Sequence, residues 1–182
     1  FNGDTITLRF SPEQTEKLRI LSREQGTTLF ATLLASVKIL LYRYTGQEDI
    51  IIGAPVAGRN HPELEDQLGF YVNTLALRDH LRPDASFSSF LQQVRQTAAE
   101  GHDYQIYPFD KLVEELNLPR DLSRSPLFDV MAVLQDSKSV MALSLENLTV
   151  RIPELRYRIS RFDLSFEFRE EGETLRCGIE YN

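Results

Sequence analysis

The sequence predicts an α/β fold, in one layered unit with a mixed β-sheet flanked by helices. Segments with apolar residues every three or four positions are interspersed with strand-like apolar runs and alternations. Apolar residues make up 42% of the 182 residues, which is enough for a packed core. No internal repeat or interdomain linker interrupts the pattern, so we expect one domain or one large lobe.

The N-terminal third predicts strand, helix, helix and strand. Residues 6–10 form the first strand, and a start signal at Ser11, Pro12 and Gln14 opens a helix that ends at Gly26. A longer helix begins at Thr27 or Thr28 and ends at Gly46. Its single apolar face consists of Phe30, Leu33, Leu34, Val37, Leu40, Leu41 and Tyr44. The continuous apolar run at residues 50–56 predicts a buried strand.

The middle of the chain predicts another strand and two further helices. A polar loop at residues 58–68 leads to a strand at residues 70–77. A shorter helix, at residues 109–116, starts at Pro108. Before it, residues 86–101 predict a helix whose inward face is Phe87, Phe90, Leu91, Val94 and Ala98.

The C-terminal third predicts strands. Residues 127–134 and 143–152 are strand candidates, with a polar loop at residues 136–139 between them. The last segment alternates apolar and polar residues around a turn at Glu171 and Gly172, which predicts a hairpin with one buried face. Its apolar residues are Phe162, Leu164, Phe166 and Phe168 before the turn, and Leu175, Cys177, Ile179 and Tyr181 after it.

Composition argues against several classes of function. The formal charge is -7 and no Lys/Arg run stands out, which disfavours a nucleic-acid or anionic-membrane partner. The longest apolar segment, residues 29–44, is shorter than the ~20 residues of a membrane span and contains polar residues. Cys177 is the only cysteine, so we expect no internal disulfide and no cysteine-rich metal site, in keeping with a reducing cytoplasm.

The three histidines lie in no recognised catalytic or metal motif. His61, His80 and His102 stand in polar contexts, outside any HExxH or GxSxG setting, and no pair has metal-ligand spacing. We therefore expect no metal site and interpret all three as solvent-exposed side chains. Motif spacing alone identifies no catalytic centre.

Five segments in a fixed order carry the functional signal. They are IGAPVAGR at 52–59, LGFYVNT at 68–74, YQIYPFDKLVE at 104–114, RDLSRSPLF at 120–128, and RFDL at 161–164 followed by GIEYN at 178–182. The ordered set resembles the condensation domains of non-ribosomal peptide synthetases, over nearly the whole chain. In that family, two chloramphenicol-acetyltransferase-like lobes form a V, and an HHxxxDG motif lies at the end of the first lobe. That motif is absent here, so the resemblance implies that residues 1–182 are the C-terminal lobe alone.

The resemblance also implies a reaction and its partners. Donor acyl or peptidyl and acceptor aminoacyl groups arrive as thioesters on the phosphopantetheine arms of two carrier proteins, and the acceptor amine attacks the donor carbonyl. The second histidine of HHxxxDG positions or deprotonates that amine. No metal or directly bound cofactor is expected, and this lobe alone is expected to be inactive. The implied partners are the N-terminal lobe, both carrier proteins and a neighbouring adenylation domain.

By resemblance, Arg59 and Asn73 support the active site. Arg59 matches an arginine that pairs with the aspartate of HHxxxDG across the lobe interface; otherwise it is an exposed arginine in a glycine-rich loop. Asn73 either bonds a thioester, a pantetheine arm or the histidine loop, or satisfies backbone groups at a strand end. Gly69 is expected to serve backbone geometry in the segment that also contains Tyr71.

The other motif residues are expected to be structural. Gln105, Tyr107, Pro108 and Phe109 fit the family's HQDYPFE segment, whereas Tyr104 and Ile106 replace its histidine and aspartate and leave the substrate subclass open. Between residues 135 and 161 the family sends part of this lobe across to the first lobe. The residues that match the family's RDxSRNPLF segment, where we expect local salt bridges, are Arg120, Asp121 and Arg124.

Two alternatives stay open. A relative that has lost catalysis would be a non-catalytic docking or recruitment module, and a degraded HHxxxDG motif would identify it. An epimerisation, cyclisation or ester-forming relative would keep an enzymatic role with a different reaction. The sequence favours condensation over epimerisation, because epimerisation domains usually diverge around the PFxxLV and SPLF segments.

Overall fold

The computed structural model describes residues 3–117, 124–135 and 160–182. The strand predicted at 143–152 and the loop predicted at 136–139 lie outside these ranges, as do Arg120, Asp121 and most of the segment between 135 and 161. In chain order, the described elements are β1 (Asp4–Phe10), α1 (Pro12–Glu24), α2 (Leu29–Thr45), β2 (Asp49–Val56), a 3-10 turn (Pro62–Leu64), β3 (Asn73–His80), α3 (Phe87–Asp103), α4 (Phe109–Glu115), β4 (Val130–Gln135), β5 (Leu164–Glu171) and β6 (Thr174–Tyr181).

The six strands form one mixed sheet in the order β1-β6-β5-β4-β2-β3. β4 pairs in parallel with both β2 and β5, whereas β1 with β6, β5 with β6 and β2 with β3 are antiparallel. The predicted hairpin turn is present: Glu171 lies opposite Thr174, and Gly172 has a φ of 63°. The predicted α/β fold with a mixed sheet is therefore confirmed.

The core lies between one face of the sheet and helices α2 and α3. Alternate residues of β2 point into it, namely Ile50, Ile52 and Ala54, as the pleat of a strand requires. Leu34 of α2 and Leu91 of α3 belong to the same cluster and are fully buried. Burial of each large aliphatic side chain stabilises the fold by about 1.5–3 kcal/mol, so this layer fixes the strand ends from which the motif loops emerge.

The helix boundaries follow signals in the sequence. In the capping box of α1, Ser11 Oγ accepts from the Gln14 N–H at 3.2 Å and Gln14 Oε1 accepts from the Ser11 N–H at 2.9 Å. Of the two candidate caps of α2, Thr28 takes the role, because its hydroxyl accepts from the Ala31 N–H at 3.1 Å. Gly46 ends α2 in the left-handed conformation, as predicted.

Two predicted strands are shifted along the chain. β3 starts at Asn73 rather than at Phe70, because the chain before Asn73 is held in the loop that follows β2, and it continues to His80 because an internal ion pair allows Asp79 to be buried. β4 starts at Val130 rather than at Leu127, because Leu127 has a φ of 73° and cannot belong to a strand.

The predicted inward faces of α2 and α3 are wrong at their ends. Leu40 and Tyr44 of α2 are exposed, Tyr44 at 85%, and so is Phe87 in the first turn of α3. The middle of the predicted α2 face is buried, at Leu33, Leu34 and Val37, and the buried surface of the helix extends to Ala31, Ala35 and Lys38.

A buried ion pair connects α2, α3 and β3. Lys38 Nζ donates to Asp79 Oδ2, and also to the Leu77 carbonyl oxygen at 2.8 Å. Asp79 Oδ1 accepts from Thr97 Oγ1 at 2.7 Å and from Gln93 Nε2 at 3.2 Å. Burial lowers the pKa of Lys38, and the Asp79 carboxylate opposes that effect. Both carboxylate oxygens have partners, which a buried pair needs in order to offset its desolvation.

No single helix in residues 3–117, 124–135 and 160–182 has the length and apolar composition needed to cross a membrane. Helices α1 and α2 meet that test only when they are counted together, and they are bent by 104° relative to each other.

Candidate functional site

The loop after β2 depends on a glycine. Gly58 has a φ of 65°, and a Cβ atom placed on it would lie 1.9 Å from the Tyr71 carbonyl oxygen. Only a residue without a side chain fits there, so glycine allows the chain to pass this close to Tyr71. The contact brings the end of the 52–59 segment against the 68–74 segment.

Arg59 holds the same loop from within. Its guanidinium donates to the Leu64 carbonyl oxygen through Nη1 and to the Gly69 carbonyl oxygen through Nη2, the latter at 3.3 Å. Arg59 Cζ lies 4.5 Å from the centre of the Tyr71 ring, a cation–π contact. Tyr71 Oη in turn donates to Gln67 Oε1 at 2.8 Å. Arginine has more N–H donors than these bonds use, so its position is also compatible with a further acceptor.

Asn73 fastens the third motif to the start of β3. Its Nδ2 donates to the carbonyl oxygens of Gln105 at 2.8 Å and Tyr107 at 2.7 Å, and its Oδ1 accepts from the Phe109 N–H at 3.1 Å. These are backbone groups, and they occupy both amide protons of Asn73. The segment from Gln105 to Phe109, including Pro108 at the start of α4, is thereby fixed against the sheet.

Three of the five motifs enclose one cleft of about 350 Å³. Its volume falls within the range of small-molecule sites, ~300–1,000 Å³. The side chains in it are apolar, aromatic or amide-bearing, and none carries a formal charge. The residues that line the cleft are Gly58, Asn60, Leu64, Phe70, Tyr71, Val72, Asn73, Gln105, Ile106 and Pro108.

Large apolar side chains in two of the motif segments that form this cleft are open to solvent. Phe70 is 91% exposed, Ile106 73% and Tyr104 76%. With Leu68 and Val72, which are also exposed, they form what we call the cleft rim. Exposed apolar surface of this kind marks a site of interaction. Both departures from the family's third motif, Tyr104 and Ile106, belong to the rim.

Two polar residues of the third motif, Gln105 and Tyr107, are engaged within the chain. Gln105 is buried, and its Nε2 lies 3.1 Å from His102 Nε2. A hydrogen bond with Glu115 raises the pKa of Tyr107. The motif is therefore held in place by contacts with α3 and α4, as well as by Asn73.

Arg124 lies between two carboxylates outside the cleft. Its Nε is 3.4 Å from Asp129 Oδ1, and its Nη2 is 3.4 Å from Asp163 Oδ2. Both pairs lie where the chain before β4 meets the chain before β5. Exposed pairs of this length contribute little to stability.

An aromatic contact joins four of the five motifs and was not predicted from the sequence. The Phe128 ring centre lies 5.6 Å from that of Phe109 and 5.7 Å from that of Phe162. Phe162 therefore packs here, ahead of β5, rather than on the buried face of the hairpin. A Cβ atom on Gly53 would lie 2.2 Å from Phe128 Cε2, so the ring rests directly on the backbone of β2. The one available signal was a glycine inside an apolar strand, which often marks such a close approach.

The histidines make only ordinary contacts. His61 and His102 are exposed, and His80 Nε2 lies 3.5 Å from Glu48 Oε2. Among the residues that the structure describes, no three His, Cys, Asp or Glu side chains are placed to hold a metal ion.

Comparison with known proteins identifies the family. The Condensation domain family model matches residues 1–182. The chain is 43% identical over 183 residues to tyrocidine synthase 3 of Brevibacillus parabrevis, 41% over 180 residues to bacitracin synthase 1 of Bacillus licheniformis, and 40% over 181 residues to gramicidin S synthase 2 of Brevibacillus brevis. These alignments cover 99–100% of this chain but only 3–4% of each relative.

Solved structures share the fold. The condensation domain from Monacolin K polyketide synthase has a TM-score of 0.86 at 20% identity, covering 99% of this chain and 42% of that one. The X-domain from teicoplanin biosynthesis has a TM-score of 0.85 at 22% identity, covering 98% and 41%. With the family match over the whole length, these findings show that the chain belongs to the condensation domain family.

Proposed function

We propose that this chain is the C-terminal lobe of a condensation domain that forms peptide bonds in a non-ribosomal peptide synthetase. The observation that carries the proposal is the cleft, which gathers three of the motif segments around one space. Identities of 40–43% to peptide synthases support it. The chain also covers only 40–42% of solved condensation-domain chains, as expected for one of two lobes.

The cleft provides one wall for a carrier-bound substrate. Its lining consists of side-chain amides, such as that of Asn60, among apolar groups such as Leu64 and Val72. That composition suits the neutral, amide-containing part of a phosphopantetheine arm, which belongs to the carrier protein and is not a cofactor of this chain. We place the donor and acceptor carrier proteins, and the adenylation domain that loads the acceptor, among its partners, in the cytoplasm.

The second wall and the catalytic histidine would come from an N-terminal lobe. The sequence contains no HHxxxDG motif, so the lobe alone would be inactive. Arg59 would pair with the aspartate of that motif, since its guanidinium already lies at the edge of the cleft and keeps donors for a carboxylate. The cleft rim would be the surface that the N-terminal lobe covers.

The test uses the native polypeptide that carries this chain, with donor and acceptor loaded on their carrier proteins and dipeptide measured by mass spectrometry. Arg59→Gln should lower the rate about tenfold or more, because a charge-assisted hydrogen bond contributes ~1.5–3 kcal/mol. The control is Arg78→Gln, which removes an exposed arginine bonded to Asp49 on the neighbouring strand and should leave the rate unchanged. Dipeptide formed by residues 1–182 alone would refute the assignment.

A recruitment module is the second candidate. It is favoured by the likeness to the teicoplanin X-domain, which has also been solved as a complex with OxyB and in that form has a TM-score of 0.80 to this chain. The same assay separates the two functions. A recruitment module would retain a carrier protein or a tailoring enzyme on an affinity column and yield no dipeptide, whatever residue occupies position 59.

A further inference from the structure

A second, larger cavity lies on the helix side of the sheet. We call it the α2–α3 groove; its volume is about 730 Å³, and it shares no lining residue with the cleft. Its floor includes Leu75 and Leu77 of β3, and Phe30 forms part of the α2 wall. Both its size and its apolar lining are those of a small-molecule site.

The groove is open because its walls carry small residues and are held apart. Ala31 faces it from α2, and Ala98 and Ala99 face it from α3. Gln92 Nε2 donates to the Gln25 carbonyl oxygen at 2.7 Å, which fixes the loop before α2 against α3. The bond ties the loop at the start of the α2 wall to the α3 wall.

An uncompensated cation stands beside the apolar lining. Within the described residues, Arg95 forms no ion pair, and its guanidinium has a single hydrogen bond, 3.3 Å to Gln92 Oε1 in its own helix. Asp103 also lines the groove, but it lies eight residues further along α3, about 12 Å at 1.5 Å per residue. At that distance Asp103 does not neutralise Arg95. The N-terminal end of α2, at Thr28 in the same wall, adds partial positive charge.

We propose that the α2–α3 groove binds an apolar carboxylic acid, with the carboxylate on Arg95 and the hydrocarbon chain against Phe30, Leu75 and Leu77. A long apolar floor combines with the Arg95 guanidinium, which is outside any ion pair of residues 3–117, 124–135 and 160–182. This combination fits an amphiphile with a single negative head group. This site goes beyond the proposed condensation function, because its lining residues differ from those of the cleft and it needs no carrier protein.

The experiment is a calorimetric titration of the native polypeptide with decanoate and, separately, with 1-decanol, both below their aggregation concentrations. Decanoate should bind more tightly than decanol, and Arg95→Gln should weaken decanoate binding about tenfold while leaving decanol unchanged. Ala98→Trp, which fills the groove, should abolish binding of both. The control is Arg82→Gln, which removes an exposed arginine outside the groove and should behave as the parent does.

Circular dichroism and thermal melting check that each variant is folded, and Ala99→Leu serves as a milder filling variant should Ala98→Trp unfold. The absence of decanoate binding, binding that survives both filling variants, or an equal loss for decanol in Arg95→Gln would each overturn the proposal. Dipeptide formation is measured in parallel. An unchanged condensation rate in a variant with a filled groove would show that the two sites are separate. The proposed groove ligand and the proposed condensation function can therefore fail independently of each other.

Discussion

At Gly58 the backbone has two separate reasons to exclude a side chain. Its φ of 65° disfavours L-residues by about 1–2 kcal/mol, and the Tyr71 carbonyl oxygen occupies the space that a Cβ atom would need. Gly46 shares the first constraint, with a φ of 69°, but has no atom within 4 Å of the Cβ position. A comparison of Gly58 with Gly46 therefore separates the effect of conformational strain from the effect of steric collision.

We predict that Gly58→Ala destabilises the protein clearly more than Gly46→Ala. The Gly46 variant should lose about 1 kcal/mol of unfolding free energy through strain alone, whereas the Gly58 variant must also move the loop that contains Arg59. Urea denaturation measures the loss, and amide hydrogen exchange at residues 58–72 reports the loop. Equal losses in the two variants would contradict a role for the contact with Tyr71.

Cys177 is the only cysteine and is buried in the core as a free thiol. Burial raises the pKa of Cys177 to about 11. Because the thiolate is the reactive form, its population at pH 8 should be roughly two hundredfold lower than that of an exposed cysteine with a pKa of ~8.5. Alkylation of residues 1–182 by iodoacetamide should therefore be slow in buffer and fast in urea. Rapid labelling of the folded protein would show that the thiol is accessible.

At the scale of elements, features that depend on residues close together in the sequence were predicted, whereas features that depend on residues far apart were not. The cap at Ser11, the stop at Gly46 and the turn at Gly172 depend on residues within a few positions of each other, and the structure contains all three. The end of β3 was missed because Asp79 reads as solvent-exposed until Lys38, 41 residues earlier, is placed beside it. The three backbone contacts of Asn73 were likewise not predictable, because they involve a segment 32–36 residues later in the sequence.

Removing one partner of the Lys38–Asp79 pair should lower the unfolding free energy much more than replacing both partners with apolar residues. Asp79→Leu leaves a buried ammonium group without its counter-ion and should lower the unfolding free energy by about 3–5 kcal/mol. The double variant Lys38→Met with Asp79→Leu removes both charges and should recover most of that loss. Chemical denaturation of the two variants and of the parent gives the comparison. A double variant as unstable as the single one would mean that the bonds to Thr97 and Gln93 matter more than the charges.

At the scale of the whole molecule, one face of the sheet is covered by helices, whereas the cleft rim is open to solvent. Helices α2 and α3 bury the strands around Ile52, with Leu91 of α3 in the same core, whereas the cleft rim exposes Phe70, Tyr104 and Ile106 to solvent. An apolar rim around a neutral cleft is what one lobe of a two-lobed domain would present to the other. The sequence identified the motif segments that contain this surface, but their gathering into one cleft follows from the sheet order, which no local pattern encodes.

We predict that substitutions in the cleft rim weaken assembly with an N-terminal lobe supplied in trans. Phe70→Ser combined with Ile106→Ser should lower the affinity at least about tenfold, since each removes a large apolar contact. The matched control is Tyr44→Ser, which removes an aromatic residue that is 85% exposed on α2. Calorimetry or co-purification measures the association. Unchanged affinity in the double variant would place the lobe interface elsewhere.

The pairing of β1 with β6 has a consequence for synthesis on the ribosome. Asp4 lies opposite Tyr181. Because β1 is translated first and β6 last, β1 has no partner in the sheet until β6 has emerged. At ~5–20 residues per second the wait is roughly 10–30 s, and during it β1 offers unpaired backbone groups together with Ile6 and Leu8, which stay partly exposed even afterwards. Until β6 has been translated, the unpaired edge of β1 is thus open to misassociation with other chains.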